Sequence, residues 1–280
     1  MGKEVFCEND ANCFALSEAL DGSGKHYKIV YGIIVGSGVG GGLVIDKKIV
    51  SQKLTKELIK YDLFIHDWLD KRLFRNGLIT EPALARLLPR LLPDSIPVMI
   101  ASSSPIRDWL SYSGEGAFLR RCFGFRGASG IDGTLSMGMG LSIIMGRMVL
   151  ITGDLALLHD TNGWLFSKDK NISLIVIMID NGGGGIFNQL NIDRIEEGDF
   201  EEIFLMPQQV CHLTLAKAYG LKYKQVACLD DLEKAIEWSF SLSTNVLIRV
   251  CTNSIEDHRL RVNLSDDLKK TLSENLSSFD

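Results

Sequence analysis

The stretch from Met148 to Phe187, MVLITGDLALLHDTNGWLFSKDKNISLIVIMIDNGGGGIF, decides the fold. It holds two β-branched apolar runs, around Leu150-Ile151-Thr152 and Leu174–Ile179, and neither alternates with polar residues. Such runs are strands buried on both faces, which is the signature of a parallel sheet covered by helices. Each run ends on a polar residue, Asp154 or Asn181, followed by a turn into the next element.

The same grammar extends outward. EPALARLLPRLLP (81–93) predicts a helix with proline just inside its start. PVMIASSSPIRDWL (97–110) predicts a buried strand, a serine-rich turn and a helix, and GFRGASGIDGTLSMGMGLSIIM (124–145) a glycine loop and a small-residue helix. Downstream, 210–223 and 230–242 read as amphipathic helices and NVLIRVCT (245–252) as a last strand. Alternating strands and helices predict an α/β fold, a parallel sheet with helices on both faces. Before it, residues 9–20 suit a short helix, and 28–46 read as two strands joined by a glycine loop. Leu54, Leu58, Ile59, Phe64, Ile65, Trp68 and Leu69 recur at helical spacing, so a seam falls near 51–60.

Composition narrows the function. Among 280 residues, 46 % are hydrophobic and 23 % charged, which excludes a disordered chain. No apolar run approaches the roughly 18–20 residues that span a bilayer. Thirty basic against 35 acidic side chains give −5 without a basic tract, so nucleic acid is not an expected partner. The N-terminus lacks an apolar leader, and six cysteines (Cys7, Cys13, Cys122, Cys211, Cys228, Cys251) form no CxxC pair. They are expected to be reduced thiols, mostly in the core, of a cytoplasmic protein.

Ligands of open parallel sheets bind beyond the carboxyl ends of the strands. Four segments fall there: Ser102–Arg107, Arg126–Gly133, Gly153–Asp160 and Asp180–Phe187. A carboxylate at 154 and an amide at 181 on neighbouring strand ends, with a turn carbonyl, make a hard-oxygen site suited to Mg²⁺ held jointly with a phosphate. Glycines 182–185 would let the backbone approach a diphosphate, with free N–H groups from a helix starting near Leu155. A helix cap and a simple turn would each explain one residue alone; the pair at this spacing favours the ligand site.

A Gly-Asp followed 27 positions later by an Asn resembles the thiamin-diphosphate/Mg²⁺ motif of thiamin-dependent enzymes. GFRGASGIDGTLS (124–136), GDLALLHDTNGWLF (153–166), IDNGGGGIF (179–187) and FLMPQQV (204–210) resemble the 2-succinyl-5-enolpyruvyl-6-hydroxy-3-cyclohexene-1-carboxylate synthases of menaquinone and phylloquinone biosynthesis over about residues 65–265. The resemblance implies a thiamin-diphosphate-binding fold, thiamin diphosphate and Mg²⁺ (or Mn²⁺) as cofactors, and Asp154, Asn181 and the Gly183 carbonyl as metal ligands, with Gly184 as an alternative carbonyl. Ser103, Gly130, Ile131, Gly153, Leu155 and Ala156 would contact the cofactor, and Ile186 and Phe187 would line the pocket. Arg107 and Arg126 would bind the anionic substrates, 2-oxoglutarate and isochorismate, although Asp108 beside Arg107 offers it an ordinary partner. His159 is either an acid/base group or a helix-packing and phosphate-side residue. The family reaction decarboxylates 2-oxoglutarate and adds the succinyl carbanion equivalent to isochorismate. It requires a glutamate from an N-terminal pyrimidine-binding domain of a neighbouring subunit, which this chain is read as lacking. A homo-oligomer or a complementing N-terminal half is therefore expected as partner, and little activity from this chain alone.

ENDANCFALSEA (8–19) and YGIIVGSGVGGGLVID (31–46) resemble instead the middle of ROK-family sugar kinases. That likeness implies Asp10 as general base, Asn9 as a sugar contact, and Gly36, Gly38 and Gly40 in a phosphate-facing loop. The expected organisation is a kinase-like fragment at 1–51, a helical junction at 52–79, the diphosphate-binding domain at 80–265 and a tail at 266–280.

Overall fold

A computed structural model describes residues 10–35, 39–46, 48–49, 52–74, 77–125, 129–190 and 197–276. Contacts divide the chain into two compact units, Met1–Trp68 and Leu69–Asp280. The division falls inside one long helix, downstream of the seam at 51–60 expected from sequence.

The first unit begins with α1 (Asp10–Leu20), followed by strands β1 (Ile29–Val35), β2 (Val39–Ile45) and β3 (Lys48–Ile49) in an antiparallel sheet. Ala15 and Ala19 of α1 bury against Val44, where Gly32 lets the strand come close: a Cβ there would lie 2.9 Å from Ala15 Cα. The glycine-loop expectation needs correction at Gly40, which pairs with Ile34 inside β2, as Gly41 and Gly42 pair with Ile33 and Gly32. Gly36 and Gly38, like Asn9, lie outside the described residues. Helix α2 (Gln52–Leu73) crosses the division between the units.

The second unit is the α/β fold. Its chain order is α3 (Glu81–Leu91), β4 (Val98–Ile100), α4 (Ser104–Tyr112), β5 (Cys122–Gly124), α5 (Thr134–Met145), β6 (Met148–Gly153), α6 (Asp154–His159), β7 (Leu174–Asp180), α7 (Glu197–Phe200), α8 (His212–Ala218), β8 (Lys222–Val226), α9 (Leu229–Phe240), β9 (Val246–Cys251) and α10 (Ser254–Leu276). The six strands lie in the order β5-β4-β6-β7-β9-β8, and every neighbouring pair is parallel.

Period-two alternation sorts the strand residues between two cores. Val98, Ile100, Val149, Ile151, Ile175 and Ile177 face α3, α4 and α9 through Leu84, Leu88, Trp109 and Leu232. Met99, Met148, Leu150, Leu174, Val176 and Met178 face α5, α6 and α8 through Leu135, Met139, Leu157 and Ala216. Gly138 allows the close approach of α5 to the sheet, since a Cβ there would lie 3.3 Å from Leu150 and 3.4 Å from Leu174.

Three further expectations change. The helix read through Tyr223 stops at Ala218, and the polar segment Lys222–Val226 is the edge strand β8. The tail expected from 266 is helical through Leu276. None of the five described cysteines is buried: Cys13, Cys122 and Cys211 are exposed and Cys228 and Cys251 half-buried, and none of the five forms a disulfide. They sit at an edge strand, element ends and an exposed helix face, where sheet packing does not reach them. No helix among the described residues is long and apolar enough to cross a membrane.

Candidate active site

Strand order reverses between β4, whose chain continues to β5 on one side, and β6, which lies on the other. This switch point opens a crevice at the carboxyl ends of the strands. A cavity of about 410 Å³ occupies it, walled by residues that follow β4, β6 and β7. Ser103, Arg107, Gly130, Ile131, Gly153, Asp154, Leu155, Ala156, Asn181, Gly183, Ile186 and Phe187 all line it. Arg126 lies outside the described residues, and His159 is an exposed residue beside Asp132 at 3.7 Å rather than part of this wall.

Asp154 follows β6 directly and is 6 % exposed. Burial pushes its carboxyl up to about 7, with the neighbouring Asp180 carboxylate adding to the rise. N–H groups of Leu155, at 2.8 Å, and Gly183 donate to it and oppose the shift. The Leu155 N–H is thus already engaged, and α6 is only six residues long, so the expected free amides at this helix start are not available at Leu155. Asp180 is held by Arg249, whose Nε donates to its carboxylate at 2.6 Å.

Asn181 follows β7, the neighbour of β6 in the sheet. Its Nδ2 donates to Glu81 Oε1, while its buried Oδ1 has no hydrogen-bond partner. The hydroxyl of Ser104, on the same cavity wall, is also buried without a partner. Each buried polar atom without a partner calls for an explanation, and on a cavity wall a bound ligand that completes the bonding is one. A buried carboxylate and an unpaired amide oxygen on adjacent strand ends fit a hard divalent cation. Among the described residues no group of three or more His, Cys, Asp or Glu side chains is arranged for a metal, so backbone carbonyls or a ligand's oxygens would complete the set. The Gly183 carbonyl accepts from Gly185 N at 2.9 Å and that of Gly184 from Phe187 N at 3.0 Å, and each retains a second lone pair.

The glycine run also answers to a close approach within the chain itself. Gly182 and Gly183 have φ +86° and +130°, and a Cβ on Gly183 would lie 2.0 Å from Leu205 O. A Cβ on Gly184 would lie 2.1 Å from Phe204 O, and Gly184 N donates to Leu205 O at 2.6 Å. At these two positions the close approach is to the π-helical turn Glu201–Leu205. That turn places Phe204 and Met206 on the cavity wall, with Phe204 edge-on to Phe187 at 5.4 Å. Within FLMPQQV neither residue carries a local mark that assigns it to the site, since their place on the wall depends on the contact with Gly183 and Gly184.

Ser103 sits at φ +76°, a strained backbone for a non-glycine residue, and caps the start of α4 at the cavity. Arg107, one turn on, is exposed and donates to the Ser103 carbonyl at 2.8 Å. Asp108 does not serve as its partner: it is buried and accepts two bonds from Arg261 of α10, at 3.0 and 2.6 Å. Arg261 also donates to Glu81 Oε2, and Asp257 accepts from Glu81 N at 2.9 Å. Burial raises the carboxyls of Asp108 to about 6 and Asp257 to about 7. Glu81 was missed from sequence because an acid in a first helical turn reads as an ordinary dipole partner.

Residues 1–53 match the ROK family model, and residues 101–250 match the thiamine pyrophosphate enzyme C-terminal TPP binding domain. The chain is similar to 2-succinyl-5-enolpyruvyl-6-hydroxy-3-cyclohexene-1-carboxylate synthase of Prochlorococcus marinus strain NATL2A, 98 % identical over 84 % of this chain and 40 % of that protein. Proteins of the same name from P. marinus strain MIT 9313 and Parasynechococcus marenigrum strain WH8102 are 51 % and 54 % identical, over 80 % and 70 % of this chain and 39 % and 35 % of theirs. The chain thus spans about two fifths of the length of the curated relatives it matches. More than half of its own length carries the matched domain, and the chain belongs to the thiamine pyrophosphate enzymes.

Proposed function

We propose that this chain is the cofactor-diphosphate-binding part of a 2-succinyl-5-enolpyruvyl-6-hydroxy-3-cyclohexene-1-carboxylate synthase. The observation that carries the reading is the unpartnered Oδ1 of Asn181 beside buried Asp154, on adjacent strand ends at the switch point. Asp154 and Asn181 would hold Mg²⁺ or Mn²⁺, with the carbonyl of Gly183 or Gly184, and through it the diphosphate of thiamin diphosphate. The chemistry that thiamin diphosphate supplies when bound is stabilisation of carbanion character at the substrate carbon.

The chain's own residues bind and orient. Ser103, with Ser104 beside it, offers polar contact at the start of α4; Gly130, Gly153, Leu155 and Ala156 line the cofactor's path. Ile131, Ile186 and Phe187 exclude water from an apolar wall that Phe204 and Met206 extend. Arg107 and Arg126 would pair with the carboxylates of 2-oxoglutarate and isochorismate. The product would feed menaquinone or phylloquinone biosynthesis in the cytoplasm.

We assign 80–265 to this domain, 266–280 to its tail, 52–79 to a junction and 1–51 to a ROK-like fragment. The sugar-kinase alternative, with Asp10 as base, gains nothing from Gly40, which is committed to strand pairing. Apolar side chains exposed on α5 (Met137, Ile143, Ile144) and on the turn after α6 (Leu165, Phe166) suit a second subunit or a complementing N-terminal half.

Titration calorimetry with thiamin diphosphate and Mg²⁺ tests the reading. Wild-type 1–280 should bind only with the metal present, and Asp154→Ala should weaken binding by more than about tenfold. Equal affinity of the two proteins would refute it.

A further inference from the structure

A buried ionic network outside the expected site residues ends on Asn181. Glu81, at the start of α3, is 2 % exposed and lines the cavity. Its two carboxylate oxygens are divided: Oε1 accepts from Asn181 Nδ2 and Oε2 from Arg261. Arg261 is itself bound by Asp108 through two bonds, and Asp257 takes the Glu81 backbone N–H. Elements far apart in sequence, α3, α4 and α10, thus converge on one amide.

That convergence has a directional consequence. An asparagine amide can present either oxygen or nitrogen to a given side, and only its local partners decide which. A carboxylate accepts and cannot donate when ionised, so Glu81 fixes Nδ2 on its own side and forces Oδ1 to the other. The oxygen so displaced is the buried atom that has no partner. Arg261 in turn holds Glu81 in place, because rotating away would cost this buried carboxylate its charge-assisted bond to the guanidinium.

Resting on the metal-site reading above, we propose that Glu81, braced by Arg261, is a positioning residue that sets the amide orientation of Asn181 and so presents Oδ1 for metal coordination. A network that served only to tie α3 to α10 would have no dependence on which end of residue 181 faces Glu81. The two roles therefore separate when donor and acceptor are exchanged.

The probe is Mn²⁺ with thiamin diphosphate, followed on the full chain by electron paramagnetic resonance, which reads bound metal without turnover. Glu81→Gln puts a donor where Oε1 was, keeps an acceptor for Arg261, and drives the Asn181 amide to flip its nitrogen toward the metal. Mn²⁺ affinity should fall about 10–100-fold, the usual size of an outer-shell loss. Adding Asn181→Asp to Glu81→Gln restores a donor–acceptor pair with an oxygen left for the metal, and affinity should return to within about threefold of wild type, as coupled neighbours do in a double-mutant cycle.

Wild-type affinity in Glu81→Gln, or no recovery in the double variant, overturns the proposal. Asp154→Ala is the control for the reading beneath it: loss of Mn²⁺ there with an unaffected Glu81→Gln sinks only the positioning role, and full binding in Asp154→Ala sinks the metal site itself. Should Glu81→Gln fail to fold, the wild-type Asn181 side-chain amide, assigned by its absence from Asn181→Asp, decides by hydrogen exchange. Protons slowed at least tenfold relative to exposed asparagines support the Glu81 bond, and free exchange refutes it.

Discussion

Asp154→Asn is expected to make the metal-free protein more stable while destroying its proposed metal site. The Asp154 carboxyl is 6 % exposed and raised from 3.8 to about 7 by burial, with Asp180 pushing in the same direction. A rise of that size corresponds to about 4 kcal/mol of destabilisation once the group is ionised. The sign follows from proton linkage: between about pH 4 and 7 the folded state binds the proton that the unfolded state has released, so this group's contribution falls as pH rises. The penalty is small near pH 4 and complete above pH 7. An asparagine has no such charge; its Oδ1 keeps the bond from Leu155 N, and losing the charge-assisted bond from Gly183 N costs about 1 kcal/mol. The net change is then a gain of about 2–3 kcal/mol at pH 8 and a loss of about 0.5 kcal/mol at pH 4, where the penalty is smaller than the lost bond. With a urea slope of about 2 kcal/mol/M, the midpoint should rise by about 1–1.5 M at pH 8. Tryptophan fluorescence is a suitable reporter, since Trp109 and Trp164 are buried in the two cores flanking the sheet. Equal midpoints at pH 8, or a difference that does not change with pH, would refute the argument.

Gly183→Ala forces a Cβ to within 2.0 Å of Leu205 O at a φ of +130°. It should cost about 2–4 kcal/mol in urea unfolding and push the Glu201–Leu205 turn off the cavity wall, and an unchanged midpoint would contradict the packing role of this glycine. Arg120→Met removes the guanidinium that donates to the carbonyls of Pro89, Leu92, Pro93 and Ile96. Four carbonyls are left short of a donor, and a loss of about 3–5 kcal/mol should appear as a lowered melting temperature; a shift below about 2 °C would show that water replaces the bonds.

The sheet was legible because burial on both faces leaves a plain mark: Leu150, Ile151, Val176 and Ile177 tolerate no polar alternation. The edge strand β8 leaves no such mark. Lys222, Tyr223 and Gln225 are exposed, and the strand exists because β9 offers it a parallel ladder. Asp154 and Asn181 were legible because they interrupt apolar strands at the ends where ligands gather. Glu81 was not, because its meaning depends on Arg261 and Asn181, which are 180 and 100 positions away. The glycines at 183 and 184 show a related gap. Their clustering implies a close approach, but only the fold brings Phe204 O and Leu205 O, about 20 positions on, against them.

These cases share a physical cause that bears on how the site works. A residue that stops an apolar run can be read locally, because its burial conflicts with its chemistry where it stands. A residue that orients another cannot, because each member of the pair is ordinary alone. Asp154 carries the conflict openly, as a carboxyl forced into a buried position beside Asp180. Asn181 carries it in a single atom, Oδ1, and only because Glu81 has taken the other end of the amide. A cation between them would relieve both at once, neutralising the carboxylate and pairing the orphaned oxygen. The strain at Ser103 and the unpaired Ser104 hydroxyl lie on the same wall. Orphaned groups occur elsewhere too, at Arg147 Nε and Thr252 Oγ1 for example; what sets this wall apart is that an orphaned amide oxygen, a buried carboxylate and a strained backbone meet on it, the combination that a bound cation would relieve.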